Sequence, residues 1–342
     1  MKVSWAGLVG ALASALAIPM DRFHQTSLPL PSRIISQMNE TGSFIENIAI
    51  RHSGALLVTT LHPSASVYTV ERPYSNSPST ALVHTFDDAN GLGGISETSR
   101  NVFIVAAARF QGLATTYPNT TSIWELELSG RGAAARRIVR IPEALLLNGL
   151  VSVPTTCKPA VLVVDSRLGV VFRVDVTTGR YEVVLDVAEL KPVETGPLYL
   201  GANGLDIRNG FLYWSNSELV SIYRIGIDRA GYPLLGAEVE KVATIEGAGA
   251  VDDFTFDEQG NIWAATNLDN TVVVIETDGR QTVVLGSPTE LTVAGDTSVE
   301  FGKTAADKHI LYVTTSGAVA FPINGTIIEP GKIVAVDTRG FY

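Results

Sequence analysis

The sequence predicts an all-β fold, a six-bladed β-propeller with four-stranded antiparallel blades around a central axis. The first observation behind this is a strand-turn-strand grammar that recurs at Glu46, Gly94, Asn148, Asn203, Asp252 and Asp296, at intervals of 44 to 55 residues. Repeats of that period built from short strands indicate a propeller. The second is composition. With 46% hydrophobic and 18% charged residues, 31 glycines and a mean hydropathy of +0.22, the chain suits sheets covered on both faces. The third is continuity. No heptad, Gly/Ser linker or charge run marks a second domain, so the 342 residues read as one closed ring.

Taken in order, residues 1–17 read as a secretory signal peptide. Lys2 precedes an apolar run from Val3, and the small residues Ala15 and Ala17 place cleavage after Ala17. The run is too short for a comfortable membrane span, and no other run of 18 apolar residues follows, so no membrane-embedded body is expected. Residues 18–45 form an irregular leader with Pro19, Pro29 and Pro31 and one plausible strand around Arg33 to Ser36. A closed ring has to join its first and last sheets, and this leader could add an outer strand to the last blade.

The propeller itself occupies residues 46–342. Its units run ENIAIRHSGALLVTT from Glu46, GGISETSRNVFIVAA near Gly94, NGLVSVPTTCKPAVLVVDS from Asn148, NGLDIRNGFLYWSNS from Asn203, DDFTFDEQGNIWAATN from Asp252 and DTSVEFGKTAADKHILYVTT from Asp296. Two connections, 109–121 and 186–200, are longer than hairpins need and are expected to project over one face. Pro142 to Leu147 is expected to form a single helical turn.

A net charge of -10 and a pI near 5.0 argue against a nucleic-acid partner, because phosphate binding needs clustered Lys and Arg. The single cysteine, Cys157, leaves no internal disulfide and reads as a bystander thiol in a turn. Sequons at Asn39, Asn119 and Asn324 are compatible with glycosylation along a secretory route, to export or to a luminal compartment. No Gly-x-Ser-x-Gly elbow occurs, and the isolated histidines, His62 and His84 among them, sit in no motif that demands a base.

In a propeller the first strand of each blade lies nearest the axis, so residues at its start converge. Unit starts that carry an oxygen-bearing side chain include Glu46, Asn148, Asn203 and Asp252, the four taken as the axial set. Two carboxylates and two amide carbonyls would suit a hard divalent cation, with Ca2+ the natural first candidate and no organic cofactor expected. Asn148-Gly149 and Asn203-Gly204 are also turn dipeptides, and that reading stands beside the axial one. Aromatic residues on strands and loops, with Tyr117, Trp214, Phe254 and Trp263 foremost, are expected to line a pocket for an apolar ligand, although strand aromatics by default belong to the core.

These residues together resemble the SMP-30/gluconolactonase/regucalcin-like family of six-bladed propellers. Glu46 in FIENIAI, Asn148 in LLNGL, Asn203 in ANGLDI and Asp252 in DDFTFDEQGN match its metal-ligand positions in order. In that family Asp252 would be both a ligand and a candidate general base. The chain departs from the family at Asp253, where Gly is usual, and this extra carboxylate would either add a ligand or redirect the site. The runs ENIAIR, GIS-E, IPEALLLNGL and DDFTFDEQGN look most like a fungal branch that includes the hetero-Diels-Alderases of tropolone sesquiterpenoid biosynthesis.

That resemblance implies a natural-product cyclase, a hetero-Diels-Alderase joining a tropolone quinone-methide-type heterodiene to a terpene alkene. On this view Asp252, Asn148 and Asn203 are the catalytic candidates, the amides donating to a carbonyl oxygen. The substrate expected is a small apolar, polycyclic or terpenoid molecule. A divalent-metal-dependent lactonase is the alternative, and a non-catalytic secreted binding propeller the third reading.

Overall fold

The computed structural model describes residues 1–2, 27–130, 132–154, 158–196 and 198–341. The expected signal peptide and Cys157 lie outside the described residues. Among the described residues, twenty-four strands form six four-stranded antiparallel sheets, each ordered from an inner to an outer strand. Blade 1 holds β2 (Phe44–Ile50), β3 (Leu56–His62), β4 (Ser66–Glu71) and β5 (Ser79–Thr85). The inner strands of blades 2 to 6 are β6 (Gly91–Ser99), β10 (Leu147–Ser152), β14 (Ala202–Arg208), β18 (Phe254–Phe256) and β22 (Asp296–Phe301). Blade 6 draws its outer strand β1 (Ser32–Gln37) from the leader, paired antiparallel with β24 (Lys332–Asp337).

The residue pattern explains this layering. Second and third strands such as β11 (Ala160–Asp165, AVLVVD) and β20 (Thr271–Ile275, TVVVI) are buried along their whole length, because a neighbouring blade covers each face. Outer strands such as β5 and β17 (Glu240–Thr244) are largely exposed and polar. The core is therefore a ring of six apolar layers between adjacent blades rather than one central mass. A fully buried side chain in such a layer, Leu162 for instance, contributes about 2 kcal/mol.

Around the axis the inner strands crowd one another, and the sequence answers with glycine and with bulges. Register slips past Glu46 in β2, Gly93 and Gly94 in β6, Asn148 and Gly149 in β10, Asn203 and Gly204 in β14, and Thr297 in β22. A Cβ at Gly149 would stand 2.2 Å from the Asn203 carbonyl oxygen, so only glycine allows β10 and β14 to meet. The Asn-Gly pairs are thus strand bulges and not turns, and a bulge re-aims its side chain.

Hydroxyl groups on the inner and second strands stitch the bulges together. Thr59 Oγ1 accepts the Asn47 N–H at 3.1 Å and donates to the Gly93 carbonyl of the next blade at 2.8 Å. Ser215 Oγ accepts from Gly204 N–H at 2.8 Å and donates to the Asp252 carbonyl at 2.6 Å, joining blades 4 and 5. Thr297 Oγ1 closes the ring by donating to the Ile45 carbonyl at 2.8 Å.

One expected element is corrected. Residues 142–147 form no helical turn: a single turn closes from Ala144 N–H to the Ile141 carbonyl at 3.1 Å, and β10 begins at Leu147. The Asp165 carboxylate takes the Leu145 and Leu146 N–H groups at 2.6 and 3.1 Å, which leaves a helix nothing to build on.

Candidate functional site

Bulges bring Glu46, Asn148 and Asn203, and the segment just before β18 brings Asp252, to the floor of one cavity of about 280 Å3 at the end of the axis where the inner strands begin. Blade 2 contributes Gly93, which has no side chain, and so leaves room above the floor. Ser217 and Asn267 complete the polar surface. Asn203 Nδ2 donates to Ser217 Oγ at 3.0 Å, and Asn267 Nδ2 donates to Asp252 Oδ2 at 2.6 Å.

The floor is electrostatically uncompensated. No Lys, Arg or His lines the cavity among the described residues. Burial raises the Glu46 carboxyl well above the usual carboxylate range, and the charges of Asp252 and Asp253 push it further. Asp252 is raised likewise by burial and then by Asp253, against the hydrogen bonds from Asn267 and Asn203.

Asp253 faces the other way. Its Oδ2 accepts from Asn47 Nδ2 at 2.5 Å, and it lines a second cavity of about 250 Å3 with Asp206, Ser298 and Glu300. The extra carboxylate therefore adds no side chain to the floor. It acts on the floor only through space, and burial holds its own pKa up at about 6.

Three of the four aromatic residues expected in the pocket line neither cavity, and the fourth lines the second cavity. Trp214 and Trp263 are 0% exposed within the layers between blades; Trp214 Nε1 donates to the Glu189 carbonyl at 3.1 Å and Trp263 Nε1 to Asp257 Oδ2 at 2.9 Å. Tyr117 is 50% exposed on its loop, and Phe254 lines the second cavity. The physical reason is common to both tryptophans: a large ring on a second strand is consumed by the neighbouring blade before it can reach the axis.

The wall is built instead from Phe44, Phe110 and Phe321 with aliphatic side chains such as Leu61, Leu146 and Leu200. Phe44 could have been found from the sequence, since it lies two residues before Glu46 on the same strand. Phe110, Leu113 and Ala114 come from the 109–121 connection and Leu198 and Leu200 from 186–200, while Ala320 and Phe321 arrive on a third, unforeseen strap. Each strap is pinned at its root by a polar side chain. Asn90 brackets Phe110, accepting its N–H at 2.6 Å and donating to its carbonyl at 3.1 Å. Glu218 accepts the N–H groups of Val193, Leu198 and Tyr199 at 2.8 to 3.1 Å. Lys332 Nζ, buried, bridges Glu329 Oε1 at 2.6 Å and the Leu291 carbonyl at 2.5 Å.

The three sequon asparagines, Asn39, Asn119 and Asn324, are exposed, the last two with left-handed φ of 60° and 51°.

Chemically, the floor offers hard oxygen donors. Among the described residues no three His, Cys, Asp or Glu side chains gather as a metal cluster, so the donor set is two carboxylates and two amides. Two partly buried carboxylates without a cationic neighbour fit a divalent cation, whose charge would let both ionise.

Residues 181–317 match the family described as SMP-30/Gluconolactonase/LRE-like region. A protein of Sarocladium schorii named as a candidate hetero-Diels-Alderase, asR5, is 31% identical over 92% of this chain and 85% of its own length. Another candidate hetero-Diels-Alderase, from Phoma sp, is 33% identical over 88% of this chain and 94% of its own. Among solved structures, a luciferin-regenerating enzyme superposes with a TM-score of 0.62 at 18% identity, covering 91% of this chain and 96% of that one. A calcium-binding protein, regucalcin, from Agrobacterium tumefaciens gives 0.57 at 14% identity over 91% and 96%. The last two similarities establish shared fold alone.

Proposed function

The chain belongs to the SMP-30/gluconolactonase/LRE-like family alongside the fungal candidate hetero-Diels-Alderases, and from that premise we propose that it is a pericyclase that joins a tropolone quinone-methide-type heterodiene to a terpene alkene. The observation that carries this reading is the cavity's division into an apolar wall and a polar floor.

A cycloaddition needs two partners held in a reactive orientation, and effective molarities from such positioning are large. The wall of Phe44, Phe110, Phe321 and leucines suits a terpene, whose burial is non-directional. The floor suits the heterodiene carbonyl. Asn148 or Asn203 would donate an amide N–H to that oxygen as charge develops on it, and a protonated Glu46 or Asp252, favoured by burial, would do the same. If a divalent ion is bound there, Glu46, Asn148, Asn203 and Asp252 would hold it, and it would supply Lewis-acid polarisation of the same oxygen.

The donor set also supports a second reading, a metal-dependent lactonase with Asp252 as general base. The test runs both on one preparation. Purified protein is incubated with a tropolone heterodiene precursor and a humulene-type alkene, and in parallel with a sugar lactone, each with and without chelator. Accelerated adduct formation with one dominant stereoisomer supports the pericyclase. Adducts at the uncatalysed rate and isomer ratio, beside chelator-sensitive lactone hydrolysis, would overturn it in favour of the lactonase.

We further infer a secretory route, supported by the signal-like residues 1–17 and the exposed sequons. A mobility shift on treating fungal-expressed protein with an endoglycosidase tests it; an unshifted band refutes glycosylation.

A further inference from the structure

We propose that Asn267 is a positioning residue of the axial floor, fixing the Asp252 carboxylate and so setting how tightly the floor holds a hard divalent cation. This rests on the reading of the floor as a cation site and adds to it a residue that sequence pattern did not single out.

The main chain of Asp252 is already fixed. Its N–H donates to the Ala265 carbonyl at 2.8 Å and its carbonyl accepts from Ser215 Oγ at 2.6 Å. What stays free is rotation of the carboxylate about its side-chain bonds, and the Asn267 amide restrains it through the 2.6 Å bond to Oδ2, alongside the Asn203 amide. Asn267 heads a 3-10 turn, Asn267–Asp269, and holds φ at +43°, a left-handed value that non-glycine residues adopt at a cost.

The surroundings hold that conformation from both sides. Thr266 N–H donates to the buried Asp296 Oδ2 at 3.0 Å, and Thr266 Oγ1 donates to the Thr271 carbonyl at 2.8 Å. Beyond the turn, Asn270 accepts the Gly295 N–H at 2.7 Å and donates to the Pro288 carbonyl at 3.1 Å. A rigid turn that ends in an amide aimed at a carboxylate orients it without cancelling its charge. A lysine in that place would neutralise Asp252 and compete with the cation.

The experiment is calorimetric titration of calcium into chelator-stripped full-length protein. Asn267→Gly keeps access to the left-handed backbone and removes the amide. Asn267→Asp keeps size and backbone preference but offers no N–H. The expected result is calcium binding by the wild type and about tenfold weaker binding by both variants, with the far-UV circular dichroism and melting of the calcium-free Asn267→Gly protein unchanged. Wild-type affinity in Asn267→Gly overturns the positioning role. Tighter binding in Asn267→Asp also overturns it, since position 267 would then face the ion itself. A wild type that takes up no calcium overturns the cation reading and this inference together, an outcome distinct from either variant result.

Discussion

Replacing Gly149 by alanine tests the claim that the floor is held by direct backbone contact between blades. The added Cβ would lie 2.2 Å from the Asn203 carbonyl oxygen and 2.9 Å from Gly204 Cα. Real Cβ contacts essentially never fall under 3.0 Å, so β10 and β14 have to part by about 0.8 Å. Neither partner is a side chain that can rotate away, and both strands are hydrogen-bonded into their own blades. The cost therefore falls at the upper end of overpacking, about 3 kcal/mol. With a denaturant slope of about 3 kcal/mol/M, the urea midpoint drops by about 1 M. Because the displaced atoms carry Asn148 and Asn203, turnover falls as well, by about a hundredfold for a shift near 1 Å. Gly130→Ala is the control: nothing lies within 4 Å of its Cβ, and the change should stay within about 0.5 kcal/mol. A Gly149→Ala protein that unfolds at the wild-type midpoint and keeps its turnover would refute the argument.

Other perturbations have equally definite outcomes. Burial, then Glu300, raises Asp206 to about 7 in the second cavity. The stability tied to this raised group is fully present below its unfolded pKa of about 3.9 and is lost as pH rises through about 7, so the unfolding free energy from urea titrations falls between about pH 4 and pH 7, by on the order of 4 kcal/mol, and Asp206→Asn flattens that slope. Lys332→Met leaves the partly buried Glu329 without its cation, with only the Gln37 amide among the described residues still donating to it, and costs about 3 kcal/mol by denaturant titration, while loosening the strap that carries Phe321. Calcium at about 100 times its dissociation constant stabilises the wild type by about 2.7 kcal/mol in thermal melts, and Glu46→Gln with Asp252→Asn abolishes the increment. Phe110→Ala enlarges the apolar wall and lowers the stereochemical purity of the adduct, read by chiral chromatography, more than Tyr117→Ala does, because Tyr117 does not line the cavity.

The blades were legible because period-2 patterning is local: IAI, LLVTT and VYTV each announce a strand from a few residues. The floor was legible because Glu46, Asn148, Asn203 and Asp252 each start a repeat with an oxygen-bearing side chain, although Asp296 starts one too and does not line the cavity. The bulges that aim Glu46, Asn148 and Asn203 were not, since they arise from crowding at the axis, which no single repeat encodes. Trp214 and Trp263 show the same limit, because apolar character predicts burial without saying which neighbour does the burying. The wall residues lie on straps without periodicity, where Phe110 and Phe321 look no different from Tyr117. Adjacent Asp252 and Asp253 part to opposite cavities, a difference of one residue that decides which carboxylate joins the axial floor.

The joint between β1 and β24 imposes an order in time. Gln37 pairs with Lys332, so the ribosome makes one half of the seam 295 residues before the other. At translation speeds of about 5–20 residues per second, Ser32–Gln37 waits roughly 15 to 60 seconds for its partner strand. Throughout that interval the nascent ring is an open arc with an unclaimed strand at one end and a bare sheet edge at the other. Either end can capture a neighbouring chain, which makes chaperone supply during synthesis a determinant of yield separate from the stability of the finished ring.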